Sequence, residues 1–199
     1  MKIILASASP RRRELLERMG LTDFAVITAD IDETPLPGLT SPQQVERLSL
    51  LKARAVAQKL SPDTLIIAAD TVVTLDGAVL GKPADRNEAR QMLSALSGRE
   101  HQVFTGVTVL QGDKSLTRHE MTRVSFRPLT DREIDDYVST GECDDKAGAY
   151  GIQGYGCLLV ETIAGDYYNV MGLPVVCLDR MLKEFNINCL NFAARRHDL

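Results

Sequence analysis

Cysteine is sparse in this chain. Its four residues, Cys143, Cys157, Cys177 and Cys189, show no C-x-x-C spacing and no paired histidines beside them. That excludes the usual signature of a zinc site and points to free thiols in a reducing compartment. A basic excess is also missing. The formal net charge is -4 with 25% charged residues, whereas domains that hold nucleic-acid polymers usually carry a basic balance, so any positive site has to be local. No apolar run approaches the roughly 20 residues that span a bilayer. Met1 leads into the first predicted strand without a basic or long apolar leader, so no signal peptide is expected. These absences predict a soluble, cytoplasmic protein that meets neither a membrane nor a nucleic-acid polymer. Apolar material is plentiful at 44% of 199 residues, enough to bury the core of one domain, with or without a subdomain.

Residues 2–5 read as a short buried strand, followed by Ser7-Ala8-Ser9-Pro10-Arg11-Arg12. Ser9 suits a helix cap and Pro10 the first helical position, with Leu15, Leu16 and Met19 as the apolar face and Gly20 as the stop. A helix start offers free amides and a positive dipole end, and Arg11 to Arg13 add charge, which makes an anion site. An ordinary capped helix with solvated arginines fits this segment equally well. A strand over 24–28 then leads to a loop with Asp30, Asp32 and Glu33. Ser41 and Gln44 predict a capping box for a helix reaching about residue 60. Its apolar stripe is Val45, Leu48, Ala55 and Val56, and Lys52 falls inside that stripe. The lysine either snorkels to water or reaches an anion. Lys52→Met would make the stripe continuous, so it is expected to keep the helix and stabilise the protein without ligand.

Residues 65–69 form a hydrophobic run fit for a central strand, ending at Asp70-Thr71, where open α/β sheets gather ligands. Asp76-Gly77 turns a hairpin that returns to Gly81-Lys82-Pro83. Asp85 and Glu88 cap a helix with Ala89, Met92, Leu93 and Leu96 inward. Strands near 102–110 and 121–126 follow, and Thr130 with Glu133 boxes a further helix carrying Ile134, Tyr137 and Val138. Residues 145–154, Asp-Lys-Ala-Gly-Ala-Tyr-Gly-Ile-Gln-Gly, have glycines that allow close backbone approach or simple turning. A hairpin around Gly165 and a closing helix over 174–185 complete the pattern, with a tail over 186–199. Cations at the arginine-rich helix start, Lys52 and Lys82, together with Asp32, Glu33 and Asp70, suit a metal-bound polyphosphate. Spacing does not show that they converge, and loop carboxylates are most often solvated.

The ordered series Ser7-Ala8-Ser9-Pro10-Arg11-Arg12, Asp32-Glu33-Thr34, Lys52, Ala69-Asp70-Thr71, Gly81-Lys82-Pro83, Ser97-Gly98 with His101, residues 145–154 and Gly172-Leu173-Pro174 resembles the motif series of the Maf family of nucleotide pyrophosphatases. The resemblance covers about residues 3–185 of a single domain spanning 1–199. It implies an α/β fold with an elongated mixed sheet flanked by helices, two lobes around a cleft, similar to inosine triphosphate pyrophosphatases. The implied reaction converts a nucleoside triphosphate to the monophosphate and pyrophosphate, with Mg²⁺ or Mn²⁺ as cofactor. The paired arginines, Ala-Asp-Thr and the segment ending in Gln153 resemble the dTTP/UTP branch rather than the 7-methyl-GTP branch. A nucleotide-binding regulator of septum formation is the alternative from another class. By resemblance, Asp70 is the proton acceptor and Arg12, Thr71 and Gln153 choose the base. Glu33 and Asp70 are the metal candidates, Lys52 and Lys82 the phosphate clamps, and Ser7 and Arg11 further substrate contacts. The sequence leaves open whether two chains assemble as a homodimer.

Overall fold

A computed structural model describes residues 2–191. The elements alternate as an α/β protein: β1 (Ile3–Leu5), α1 (Pro10–Arg18), β2 (Phe24–Val26), α2 (Ser41–Ala57), β3 (Leu65–Leu75), β4 (Ala78–Leu80), α3 (Arg86–Leu96), β5 (Glu100–Gln111), β6 (Lys114–Phe126), α4 (Asp131–Ser139), β7 (Val160–Ala164), α5 (Tyr167–Val170) and α6 (Val175–Lys183). Seven strands join one mixed sheet in the order β2-β1-β3-β5-β6-β7, with β4 on β3. The expected α/β class with a mixed sheet flanked by helices is what the chain forms. Among the described residues no helix is long and apolar enough to cross a membrane.

The chain divides into two compact units. One comprises the described parts of Met1–Asp70, Thr105–Glu120 and Gly172–Leu199, the other Thr71–Phe104 and Met121–Met171. In the first unit β1 is the hub, parallel to β2 with Ile3 opposite Phe24 and to β3 with Ile3 opposite Leu65. Its near-continuous apolar sequence suits a strand covered on both faces. Ile4, Ala6, Ile66 and Ala68 from the sheet pack with Ala53 and Val56 of α2. The buried positions of α2 are Gln44, Val45, Leu48, Ser49, Lys52, Ala53 and Val56, the three-and-four spacing of a helix face. Ala53 holds the place in the stripe that the sequence pattern assigned to Ala55, which is only half-buried. At Gly106 a Cβ would stand 2.3 Å from the Val45 carbonyl oxygen. Glycine is required there because the α2 backbone lies directly on β5.

In the second unit β3 continues into an antiparallel hairpin with β4, Val73 opposite Leu80, through the predicted Asp76-Gly77 turn. Helices α3 and α4 pack together, burying Ala89, Leu93, Leu96, Ile134 and Tyr137. Strand β7 pairs antiparallel with β6, with a register irregularity between Ser125 and Phe126. Two local expectations change. The box on α2 is made by Thr40 and Gln43, whose Oε1 accepts from the Thr40 amide at 2.9 Å, while the Oε1 of Gln44, the residue expected to complete a Ser41 box, accepts from the Leu36 amide at 3.3 Å. No hairpin forms around Gly165. Asp166 instead caps α5, accepting from the Tyr168 amide at 2.8 Å, and Asn169 is fully buried, donating to the Val103 carbonyl and Thr122 Oγ1.

Candidate active site

At the end of β1 the chain runs through Ser7 into α1. Ser9 adopts an extended conformation at the cap and accepts the Arg12 amide at 3.5 Å. Nearly buried Ser7 accepts from the Ser9 amide at 3.2 Å and from Arg12 Nη1 at 3.1 Å. Arg12 Nε donates to the Gly172 carbonyl at 2.8 Å. Arg12 is thereby held on two sides by its own unit. Burial pushes its guanidinium below the ordinary arginine value, opposed by the Asp70 carboxylate and assisted by the Arg11 charge. A guanidinium remains charged in a protein. Arg13 is drawn away into an exposed i,i+4 pair with Glu17, so of the three arginines it takes the solvated role.

Lys52 does not snorkel. It is 8% exposed, and its Nζ donates to Asp70 Oδ1 at 2.7 Å and meets Glu33 Oε2 at 3.0 Å. Asp70, 6% exposed, is delivered by β3 at the predicted strand position. Glu33 comes from the irregular loop between β2 and α2 and stays half-exposed. Beside it, Asp32 turns back to Thr34, whose side chain first and whose amide, donating at 2.9 Å, second hold the Asp32 carboxyl below the usual carboxylate value. Asp32 therefore shapes the loop while Glu33 faces the ammonium. Because Lys52 neutralises a buried carboxylate, removing its charge should destabilise the protein without ligand, the reverse of the expectation from the apolar stripe alone.

The structure thus brings Ser7, Arg12, Glu33, Lys52 and Asp70 into one cluster of the first unit, with partly exposed Arg11 on the same helical turn. Thr71, Lys82 and Gln153 belong to the second unit. Thr71 directly follows Asp70 and is half-buried, whereas Lys82 and Gln153 are exposed. The Lys82 loop is tied to the glycine segment, since the Gly148 amide donates to the Gly81 carbonyl at 3.0 Å. Gly148 sits at φ +70, where a Cβ would press on Val73 at 3.0 Å. Within the same unit His101 is buried, with Nε2 2.8 Å from the Tyr150 hydroxyl, and both rings pack edge-on with Phe126. Burial lowers the His101 pKa to about 4. Gly172 stands in the motif series, but nothing in the sequence paired its carbonyl with Arg12, because a backbone acceptor is independent of residue type.

Among the described residues no three His, Cys, Asp or Glu side chains are grouped to hold a metal ion. The donor set is Glu33 and Asp70, each with one oxygen turned to Lys52. Two carboxylates fit Mg²⁺ of the kind that keeps most of its other ligands as water and substrate phosphate oxygens, rather than a dedicated protein cage.

The family described as Maf-like protein matches residues 2–185. A dTTP/UTP pyrophosphatase of Symbiobacterium thermophilum is 52% identical over 184 residues, covering 92% of this chain and 94% of its own. A dTTP/UTP pyrophosphatase of Clostridioides difficile is 51% identical, covering 94% and 97%. Among solved structures, a HAM1 protein from Coxiella burnetii superposes with a TM-score of 0.51 at 18% identity, covering 92% of this chain and 99% of that one, which shows the fold alone.

Proposed function

Because this chain belongs to the Maf-like protein family, we propose that it hydrolyses dTTP and UTP, and modified pyrimidine nucleotides of that shape, to the monophosphate and pyrophosphate. The observation that carries the chemistry is the buried Asp70–Lys52 pair with Glu33 on the same ammonium and Arg12 electrostatically coupled to Asp70. The relatives' names carry the choice of base.

Asp70 is the proton acceptor for the attacking water, with Oδ1 held by Lys52 and Oδ2 the oxygen that ammonium does not use. A carboxylate oriented by a buried lysine loses less freedom in reaching the reactive geometry. Lys52, Arg12 and Lys82 offset charge that develops on the leaving pyrophosphate. Ser7 keeps Arg12 pointed, and the amide of Gln153 offers both a donor and an acceptor to a pyrimidine edge. Glu33 and Asp70 would hold the Mg²⁺ or Mn²⁺, which when bound supplies Lewis-acid polarisation of the phosphate oxygens. The substrate is free nucleotide in the cytoplasm, which suits four free cysteines.

A panel of nucleoside triphosphates with Mg²⁺ or Mn²⁺, scored for pyrophosphate release, tests the reading. UTP and dTTP should be preferred over GTP and 7-methyl-GTP. Asp70→Asn should lower kcat by about 10²- to 10⁴-fold, the usual contribution of a general base, while nucleotide still binds. Near-normal turnover by folded Asp70→Asn would remove Asp70 from the proton-acceptor role.

A further inference from the structure

We propose that Glu142 is a specificity-positioning residue, its carboxylate clamping the turn that carries Gln153 into the shape that reads the base. The inference rests on the dTTP/UTP reading and concerns how that site selects its nucleotide.

Past the end of α4, Gly141 takes φ +74 and sends Glu142 back toward the glycine segment. Glu142 Oε1 accepts from the Tyr137 hydroxyl at 2.9 Å and from the Gly156 amide at 3.0 Å. Oε2 accepts from the Tyr155 amide at 2.8 Å. The Tyr137 hydroxyl in turn accepts the Gly151 amide at 3.0 Å. Backbone donors on both sides of Gln153 therefore end on one carboxylate, directly or through a single phenol. Burial and the adjoining Glu142 charge push the Tyr137 phenol up from its ordinary value, so it stays a donor. The three donors are neutral, and a carboxylate receiving neutral N–H and O–H groups makes bonds roughly twice as strong as neutral pairs.

The approach is too close for a side chain. A Cβ at Gly154 would lie 1.9 Å from Oε2. Gln153, immediately before it, is exposed between buried Ile152 and the pinned amides of 155 and 156. Upstream, the segment is also fixed by the Gly148 amide to the Gly81 carbonyl and by Tyr150 to His101. An exposed amide on a rigid turn can discriminate edges, because the backbone that carries it is already ordered when the base arrives and only the Gln153 side chain has still to be fixed. Glu142 itself is turned into the protein, which makes its effect on the base indirect.

Glu142→Gln keeps the shape but places an NH₂ group against an N–H donor. Wild type, Glu142→Gln and Tyr137→Phe are assayed with UTP, dTTP and GTP for pyrophosphate release, with hydrogen exchange read at the amides of 151, 155 and 156. Loss of one or two charge-assisted bonds predicts about a tenfold rise in KM for UTP and dTTP, with kcat within about threefold. The GTP efficiency stays near wild type, so the pyrimidine preference falls about tenfold while the three amides lose protection. Tyr137→Phe shifts the same quantities less. A wild-type UTP-to-GTP ratio in either variant, or a parallel loss of kcat with every nucleotide, overturns the proposal. Unchanged amide exchange overturns the clamp whatever the substrate. If Glu142→Gln does not fold, Tyr137→Phe decides alone. A wild-type enzyme that ignores UTP and dTTP instead sinks the functional reading, and this inference with it.

Discussion

Replacing Lys52 with methionine removes one charge from a site where two carboxylates meet it, and the consequences separate packing from electrostatics. Asp70 is 6% exposed and Lys52 8% exposed, so neither can turn to water without moving α2 or β3. Breaking a buried pair by deleting one partner costs about 3–5 kcal/mol, because the remaining charge is left uncompensated. Two features reduce that figure. The Arg12 guanidinium is electrostatically coupled to Asp70, and a methionine chain keeps most of the apolar packing of the lysine stem. A loss of about 2–4 kcal/mol is expected, equal to a fall of about 1–2 M in the urea midpoint at a typical slope of about 2 kcal/mol/M. Equilibrium urea unfolding measures it, with hydrogen exchange at the β1 and β3 amides reporting the first unit separately. Lys52→Met combined with Asp70→Asn should be less destabilised than the sum of the two single changes, by a coupling of about 0.5–3 kcal/mol. A Lys52→Met protein as stable as wild type would refute the reasoning, and would mean that the ion pair contributes nothing that packing does not replace.

His101 should make the second unit sensitive to acid. Its folded pKa of about 4 lies below the unfolded value of about 6.5. The unfolded chain therefore binds the proton first, and the stability that neutral His101 carries is full above about pH 6.5 and is lost as pH falls toward 4, by up to about 3 kcal/mol. Unfolding of wild type and His101→Gln across that window checks it, and parallel pH profiles would remove His101 as the cause. Gly106→Ala should destabilise by about 1–3 kcal/mol or more through overpacking, because the Val45 backbone 2.3 Å from the new Cβ belongs to a helix. Thermal unfolding reads the loss, and turnover should fall with it, since the same shift moves Lys52 away from Asp70. Gln153→Glu should erode the preference for UTP over GTP more than it lowers kcat, as steady-state kinetics with both nucleotides would show. Equal effects on the two nucleotides would take Gln153 out of base selection.

Much of this molecule is legible from residue order alone. The strand before Ser7, the Ser9-Pro10 helix start, the Asp76-Gly77 turn, the run into Asp70 and the box at Thr130 and Glu133 are local signals, each decided by chemistry within a few residues. Lys52 was legible as an anomaly, because a charge inside an apolar stripe breaks a helical period. Where local signals compete, tertiary context chose: Thr40 rather than Ser41 caps α2, and Asp166 starts a helix where a strand was expected, with buried Asn169 drawing that turn onto Val103 and Thr122.

What Lys52 is charged for could only come from the fold, since Glu33, Lys52 and Asp70 lie on a loop, a helix and a strand and meet through sheet pairing and helix packing. The same holds for Arg12 on the Gly172 carbonyl, 160 residues along the chain, and for Glu142 inside the glycine segment. The Gly172 carbonyl and the Tyr155 and Gly156 amides that meet these side chains are backbone groups, and backbone groups carry no sequence signature. Residue types thus determined which chemistry was available to this protein, while tertiary structure decided which carboxylate is paired, which arginine is held and which loop is clamped, because those depend on distances between segments that no local period encodes.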